Sequence, residues 1–325
     1  MGGPDPAVAA IRLALRRALG EMPPGALVVV ACSGGPDSLA LAAGTAFTAP
    51  RLGLRAGAWC VDHALQDGSD AVAQQAVQTC QAMGLDPTAV LAGSVAAPAN
   101  LEAAARQARY DALSTAAKAA GATAVLLGHT LDDQAETVLL AMGRGAGLTA
   151  LAGMAPQRGL YHRPLLGITR AQTAQACQAQ GLTPWHDPMN RANGPVYSAR
   201  AHLRERVLPA MEEVLGGGVA AALARTAEQI TADLNYLDQA AAALLSQVTN
   251  QGQVDAKALA QAAPALRHRA LKLAALQMGA DGSALTAAHI KALDDLVVNW
   301  HGQGPTDLPG GIRVGRSVAS LILDP

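Results

Sequence analysis

A loop with two glycines, a proline, an acid and two serines separates an apolar run from a predicted helix. Its residues are Ser33, Gly34, Gly35, Pro36, Asp37 and Ser38. Glycines allow positive φ and close approach of a ligand, and backbone N–H groups at a helix start attract anions. Asp37 would repel a phosphate unless a divalent cation lies between them. The loop therefore predicts a site for phosphate and Mg²⁺ with Asp37 as the metal ligand; a capped tight turn is the alternative interpretation.

Two familiar phosphate-binding motifs do not match this loop. The ATPase P-loop requires a lysine directly after its second glycine, and no lysine follows here. The dinucleotide-binding motif requires the spacing G-x-G-x-x-G, which the loop also lacks. The loop therefore belongs to another class of phosphate-binding sequence.

Two further polar clusters follow predicted strands. One is the pair Asp62 and His63, and the other contains His129, Asp132, Asp133 and Glu136. Ligands bind at the carboxyl ends of the strands in an open parallel sheet, so we expect all three clusters to meet in one site. Helix capping is the alternative for the two adjacent aspartates. It does not account for Glu136, which lies one turn further into an apolar helix.

Strands and helices are predicted to alternate over the first half of the chain. The predicted strands cover 26–32, 54–62, 88–93 and 122–129, and the predicted helices cover 38–48, 69–84, 101–120 and 131–143. This alternation is typical of βαβ units with right-handed crossovers. The predicted fold class is α/β, with a doubly wound parallel sheet.

The pattern changes in the second half. Gly, Pro and Asn interrupt residues 145–196, an amphipathic helix is predicted over 197–215, and three glycines follow at 216–218. We expect a domain boundary there, with a catalytic domain over 1–215 and a smaller, mainly helical domain over 216–325.

Composition narrows the class of protein. Half of the 325 residues are apolar but only 2% are aromatic, which favours packed helices and buried parallel strands over β-sandwiches. No apolar run reaches the length of a membrane span, and the N-terminus lacks the order of a signal peptide. The cysteines form no CxxC pair and no metal-ligand spacing; they are Cys32, Cys60, Cys80 and Cys177. We expect a soluble cytoplasmic protein with no membrane contact.

Positive charge is concentrated in one segment. Between Ala141 and Ala210 there are eight arginines and two acids, although the whole chain has a net charge of −1. A solvated surface is the ordinary explanation for such a segment. A polyanionic partner such as a nucleic acid is the functional one.

The loop and several longer stretches resemble one known family. The pattern S-G-G-x-D-S resembles the PP-loop of the N-type ATP pyrophosphatases, which cleave ATP between the α- and β-phosphates and adenylate a substrate. The stretches 60–66, 100–113 and 126–154 together resemble the tRNA(Ile)-lysidine synthetase family, and the likeness continues through 163–166, 187–190 and 197–209.

This resemblance implies an enzyme that forms lysidine at the wobble cytidine of the CAU-anticodon tRNA(Ile), using ATP, Mg²⁺ and free L-lysine. ATP would bind at the loop with Asp62 and His63, and the catalytic residues would be Asp37, His63, His129 and Asp132. The ammonium groups of lysine would contact Asp132, Asp133 and Glu136, and its carboxylate would contact Arg106 or Arg109. The tRNA would contact the C-terminal domain and Arg144, Arg200 and Arg204.

Some alternatives stay open at this point. In place of the family's R-N-R-I-R run, the chain has Ala201 for asparagine and His202 for an arginine, and the sequence leaves open whether these weaken the tRNA contact. Arg106 and Arg109 could instead form surface ion pairs. Other functions are a PP-loop tRNA thiolase, for which a CxxC pair is missing, and a non-catalytic nucleotide-binding sensor. The sequence leaves a homodimer open.

Overall fold

The structure is a computed structural model that describes residues 3–63, 68–93, 101–187, 191–194 and 197–323. Its chain forms two compact units, Met1–Glu228 and Gln229–Pro325. The division between them falls inside a long helix, beyond the three glycines at which we expect a domain boundary. Residues 64–66, 100 and 188–190, which belong to predicted motifs, lie outside the described residues.

Strands and helices alternate in the first unit. The main elements are α1 (Pro6–Leu19), β1 (Leu27–Ala31), α2 (Pro36–Thr48), β2 (Arg55–Asp62), α3 (Ser69–Ala82), β3 (Thr88–Ala92), α4 (Leu101–Ala120), β4 (Ala122–Leu127) and α5 (Leu131–Gly143). Shorter elements follow, namely α6 (Leu148–Leu151), β5 (Gln157–Arg158), β6 (Tyr161–His162), α7 (Arg170–Ala179), α8 (Ala199–His202) and α9 (Leu208–Leu215), before α10 (Val219–Val248). The predicted strands and helices of the first half are confirmed, with small differences at their ends.

The sheet of this unit has the order β3-β2-β1-β4-β6-β5. All neighbouring pairs are parallel except β5 and β6, which form an antiparallel edge that the sequence did not predict. Because β2 and β4 lie on opposite sides of β1, the strand order reverses there. The crevice at the carboxyl ends of β1 and β4 is therefore the expected ligand-binding position in a doubly wound sheet.

Both faces of the sheet are covered by helices, which explains why β1 is apolar throughout. Val28 and Val30 face a core with Ile11 of α1 and Leu39 of α2. Val29 faces the opposite core, with Leu113 of α4 among its members. A parallel strand buried on both faces needs an apolar residue at every position. The sequence of β1 therefore shows no alternation of apolar and polar residues.

The predicted helix over 197–215 is helical from Ala199 to Leu215, but it is not a single regular α-helix. A π-helical stretch, Leu203–Val207, joins α8 to α9. Pro209, in the first turn of α9, has no N–H to donate to the carbonyl four residues before it. A π-helical stretch before the proline accommodates this missing bond, and such stretches are common at functional sites.

Helices and a small sheet make up the second unit. Its elements after α10 are β7 (Thr249–Asn250), β8 (Gln253–Asp255), α11 (Ala256–Ala260), α12 (Pro264–Gln277), α13 (Ala287–Val298), β9 (Thr306–Leu308), β10 (Ile312–Arg316) and β11 (Ser320–Leu323). The strands pair antiparallel in the order β7-β8-β11-β10-β9. Leu259, Leu271 and Leu293 are fully buried in its core. The helices confirm the expectation, whereas the sheet was not predicted.

Within the described residues, no single helix is long and apolar enough to cross a membrane. One pair, Ala199–Leu215 with Val219–Val248, meets the length and composition test together, with a bend of 95° between its members.

Candidate functional site

The glycine-rich loop connects β1 to α2 at the predicted crevice. Gly34 has a φ of 81°, in the left-handed region, and an added Cβ would lie 3.3 Å from the Cβ of Ala76. No side chain caps α2, and the N–H groups of Gly35, Asp37 and Ser38 donate to no other described residue. These N–H groups are therefore available to an anion, as the predicted phosphate site requires.

Ser38 shapes the loop from within. Its hydroxyl accepts from the N–H of Ser33 at 3.2 Å and donates to the carbonyl of Gly35 at 3.0 Å. The chain also binds the loop from outside, because the N–H of Trp185 donates to the carbonyl of Gly34 at 2.9 Å. The loop is thus held in one shape by its own residues and by a distant segment.

The polar cluster that follows β4, from His129 to Glu136, lies against this loop. A Cβ on Gly128, which follows β4, would lie 3.1 Å from the carbonyl carbon of Asp37 and from the nitrogen of Ser38. Only a glycine allows this approach of backbone to backbone. It places His129 and the start of α5 beside the loop, so these two predicted clusters do meet.

Asp37 is the loop residue with the most side-chain contacts to other elements. Its Oδ1 accepts a hydrogen bond from the hydroxyl of Thr173, and its Oδ2 lies 3.7 Å from Nε of Arg170. Burial raises the pKa of the Asp37 carboxyl, although the hydrogen bond from Thr173 and the charge of Arg170 act in the opposite direction. Helix α7 therefore touches the predicted metal ligand directly.

The two adjacent aspartates each cap a helix, in addition to any other role. Asp133 accepts from the backbone N–H of Thr130 at 2.8 Å and completes a capping box at the start of α5. Asp132 accepts from the N–H of Arg170, the first residue of α7, at 2.8 Å. Burial acts to raise the pKa of Asp133, but the charge of Arg170 and the hydrogen bonds from Thr130 hold that pKa below its usual range.

Glu136 is completely buried, with 0% of its side chain exposed, and it is surrounded by arginines. Arg204 donates to its two oxygens at 2.9 and 3.2 Å. Arg170 donates to Oε1 at 3.4 Å, and Nη1 of Arg200 lies 3.6 Å from Oε2. An unpaired buried carboxylate would be very costly, and these three guanidinium groups provide its partners.

One connected ion network results, and it joins α2, α5, α7 and the segment Ala199–Val207. Its acids are Asp37, Asp132, Asp133 and Glu136, and its bases are Arg170, Arg200 and Arg204. We call this set the carboxylate–arginine network. It unites three predicted lysine ligands, the predicted metal ligand and two predicted tRNA ligands.

The two predicted histidines are half-buried and follow β2 and β4, at the same edge of the sheet. Nδ1 of His63 and Nδ1 of His129 are both buried without a hydrogen-bond partner among the described residues. Burial lowers the pKa of His63 and lowers that of His129 to about 3. Both rings are therefore neutral near pH 7, and each has one buried nitrogen without a hydrogen-bond partner among the described residues.

Helix α4 adds positive charge beside these histidines. The charges of Arg109 and, for His129, Arg106 are among the causes that lower the histidine pKa values, so these arginines lie near the rings. Arg109 is half-buried, and burial together with the charge of Arg106 lowers its own pKa. Arg106 is exposed and contacts Tyr110. The aspartate on this helix, Asp111, accepts from Gln107 at 2.8 Å.

Two further predicted residues lie outside the network, and two residues of the site were not predicted. Arg144 is exposed at the C-terminal end of α5, roughly 12 Å along the helix from Glu136. Asp62 ends β2 and is half-buried. Arg170 and Thr173 were not predicted as site residues from the sequence. The only signal for them was the capping box of Thr169 and Gln172, which marks the start of α7.

The residues described do not by themselves form a metal site. No group of three or more His, Cys, Asp or Glu residues is arranged to hold a metal ion within the described part of the chain. All four cysteines are buried and reduced. A lone carboxylate such as Asp37 still fits Mg²⁺, because this ion is commonly bound by one or two carboxylates together with substrate phosphates and water.

Comparison with known families and proteins supports one group. The PP-loop domain matches residues 11–211, and the TilS substrate binding domain matches residues 255–318. The tRNA(Ile)-lysidine synthase of Thermobifida fusca is 48% identical over 324 residues, covering 99% of both chains. That of Salinispora arenicola is 50% identical over 327 residues, covering 98% of this chain and 97% of its own.

A solved structure shares the fold over about two thirds of this chain. The U34-tRNA thiolase NcsA from Methanococcus maripaludis, solved with its 4Fe-4S cluster, superposes with a TM-score of 0.58. The superposition covers 69% of this chain and 79% of the thiolase chain. The sequence identity is 18%, a level at which only the fold is comparable.

Proposed function

The chain belongs to the tRNA(Ile)-lysidine synthase family, and from this membership we propose its reaction and the roles of its residues. It ligates L-lysine to C2 of the wobble cytidine in the CAU-anticodon tRNA(Ile), through an adenylated tRNA, and releases AMP and pyrophosphate. The observation that carries the site assignment is the loop at residues 33–38. The N–H groups of its Gly35, Asp37 and Ser38 donate to no other described residue, and its Asp37 belongs to the carboxylate–arginine network.

The first step is adenylation of the tRNA. The free N–H groups of Gly35, Asp37 and Ser38 orient the triphosphate of ATP, and Asp62 and His63 complete the nucleotide site. Asp37 would hold Mg²⁺, which when bound neutralises charge on the phosphate oxygens. Cytosine O2 attacks the α-phosphorus and pyrophosphate leaves, so a poor oxygen leaving group at C2 is converted to AMP.

Lysine recognition uses the carboxylates of the network. The ammonium groups of free lysine approach Asp132, Asp133 and Glu136, and the carboxylate of lysine approaches Arg106 or Arg109. Glu136 already binds Arg204, so a lysine ammonium has to share it with that guanidinium or replace it. Recognition of lysine is thereby linked to the position of the segment that carries Arg200 and Arg204.

The second step needs a neutral ε-amine that attacks C2 of the adenylated cytidine. His129, with a pKa of about 3, is too weak a base to remove a proton near pH 7. We assign it the role of a neutral hydrogen-bonding group, and we assign Asp132, on the same turn of the chain, to bind and orient the ε-amine while the C–N bond forms and AMP leaves. His63 has a similar neutral role beside the nucleotide.

tRNA contacts arise from the basic segment and the C-terminal domain. Arg200 and Arg204 keep about a third of their side-chain surface exposed, at 33% and 30%, while they pair with Glu136. They can thus reach a phosphate and still adjoin the network. Exposed Arg144 is a further phosphate ligand. We assign the reaction to the cytoplasm, with tRNA and ATP.

The thiolase alternative is not favoured. Such enzymes depend on reactive or cluster-binding cysteines, and the four cysteines here are buried without a metal-binding arrangement among the described residues. A non-catalytic sensor would need no network of acids beside its nucleotide loop.

One assay separates these functions. The protein is incubated with ATP, Mg²⁺, labelled lysine and tRNA, and acid-precipitable label is counted. Label in tRNA that depends on ATP supports the ligase. A sulfur requirement in place of lysine would indicate the thiolase, and binding of ATP with no tRNA-dependent ATP–pyrophosphate exchange would indicate the sensor.

A further inference from the structure

Thr173 makes a contact that packing alone does not require. Its side chain is fully buried in α7, yet its hydroxyl reaches Oδ1 of Asp37 in α2, 136 residues earlier in the chain. The same hydroxyl lies 2.8 Å from the carbonyl oxygen of Arg170. A hydroxyl has one proton to donate, and an ionised carboxylate is a stronger acceptor than a backbone carbonyl. The hydrogen bond to Asp37 is therefore the dominant one.

Helix α7 is fixed where it meets the loop. The N–H of Arg170 donates to Asp132, and its guanidinium donates to Asp133 at 2.8 Å. Further along the helix, the thiol of Cys177 lies 3.3 Å from the carbonyl of Pro36, directly before Asp37. Contacts on both sides of Thr173 thus prevent its hydroxyl from following Asp37 if that side chain rotates.

The two oxygens of Asp37 consequently have different surroundings. Oδ1 is engaged by Thr173. Oδ2 lies 3.7 Å from Nε of Arg170, beyond hydrogen-bond distance, and the Nη2 of that arginine is directed to Asp133 and Glu136. Oδ2 is therefore the oxygen that remains for a cation.

We propose that Thr173 is a positioning residue for the reaction: its hydroxyl holds the Asp37 carboxylate in one orientation and leaves Oδ2 to bind the Mg²⁺ that accompanies ATP. This inference rests on the proposed metal role of Asp37. Hydrogen-bond partners of metal ligands commonly change metal affinity or activity by 10- to 100-fold when they are removed. A residue that only packs in the core would have no such effect on metal binding.

The test measures metal-dependent binding directly. A non-hydrolysable ATP analogue is titrated calorimetrically into the wild type, Thr173→Val and Thr173→Ser at a series of Mg²⁺ concentrations. We expect the valine variant, which keeps the shape and removes the hydroxyl, to need about tenfold more Mg²⁺ for half-saturation. The serine variant should bind as the wild type does, and binding without Mg²⁺ should be equal in all three.

Controls make each outcome decisive. Equal Mg²⁺ dependence in the wild type and Thr173→Val overturns the inference, provided that Asp37→Asn shifts that dependence. If Asp37→Asn has no effect either, the proposed role of Asp37 fails instead. In the Asp37→Asn background, Thr173→Val should add nothing further. If thermal unfolding shows that the valine variant does not fold, Thr173→Ala is measured in its place, with the same two outcomes.

Discussion

Arg204 binds Glu136 through two parallel hydrogen bonds, from Nε to Oε1 at 2.9 Å and from Nη2 to Oε2 at 3.2 Å. This bidentate geometry is the strongest arrangement open to the two groups. It connects a buried acid of α5 to a segment that sequence analysis assigns to tRNA binding. The proposed lysine site and the proposed tRNA-binding segment are therefore in direct contact.

Glu136→Gln should separate the two chemical steps. We expect tRNA-dependent ATP–pyrophosphate exchange to persist and lysine transfer to weaken, mainly through a higher KM for lysine. Because the neutral amide leaves arginines less compensated, the free energy of unfolding should fall by about 1–3 kcal/mol. Exchange and transfer assays, with thermal unfolding as the stability control, check this. Equal loss of both steps would assign Glu136 to the nucleotide site or to structure.

Asp37→Asn should impair adenylation far more than its small change of shape suggests. Removal of one electrostatic stabiliser typically costs about 100-fold or more in rate. ATP–pyrophosphate exchange at saturating tRNA measures it. Asp70→Asn, the same substitution at an exposed residue of α3, is the matched control. Near-normal exchange in the loop variant would contradict the metal role and leave Asp37 with a structural role through Thr173.

Arg200→Ala and Arg204→Ala should weaken tRNA binding and make it less dependent on salt. Each lost phosphate contact lowers the slope of log K against log salt by about 0.7–0.9. Arg206→Ala is the control, because Arg206 is exposed and donates to Asn193 at 3.1 Å, away from the network. ATP affinity should be unchanged in all three variants. Slopes equal to the wild type for the first two would remove this segment from the RNA-binding surface.

His129→Asn should flatten the dependence of stability on pH. Burial lowers the pKa of His129 from its usual 6.5 to about 3, so the imidazole takes up a proton when the chain unfolds in that range. Its contribution to stability is present above about pH 6.5 and is lost as the pH falls toward 3. The variant should therefore lose stability with falling pH less steeply, by about 1.4 kcal/mol per pH unit.

Denaturant unfolding of the wild type and the variant at several pH values above the acid denaturation range measures this slope. His301→Asn, at an exposed residue of the second unit, controls for the loss of one histidine. Parallel stability curves for the wild type and His129→Asn would show that the ring is not held neutral by burial.

Local signals account for the parts of the fold that the sequence predicted. The runs at β1, β2 and β4 are apolar and end at polar clusters, and their positions agree with the strands in the structure. The pairs β5–β6 and β7–β8 were not predicted because strands of two or three residues are too short to show an alternating pattern.

Sequence analysis singled out most residues of the carboxylate–arginine network but not the contacts between them. The apolar setting of Glu136 indicated correctly that helix capping does not explain it. Its arginine partners could not be inferred, because an arginine that pairs with a buried acid has the same local sequence signal as a solvated one. The contact of Thr173 with Asp37 has no local signal at all, since it depends on how α7 packs against α2.

The carboxylate–arginine network contains four carboxylates and three guanidinium groups, so one acid is in excess when all are ionised. In a poorly solvated site, such an excess favours the entry of one further cation and disfavours a neutral molecule of the same size. Amino acids should then be discriminated by charge before length. Ornithine, which keeps a terminal ammonium, is expected to compete with lysine better than norleucine, which has the apolar chain alone.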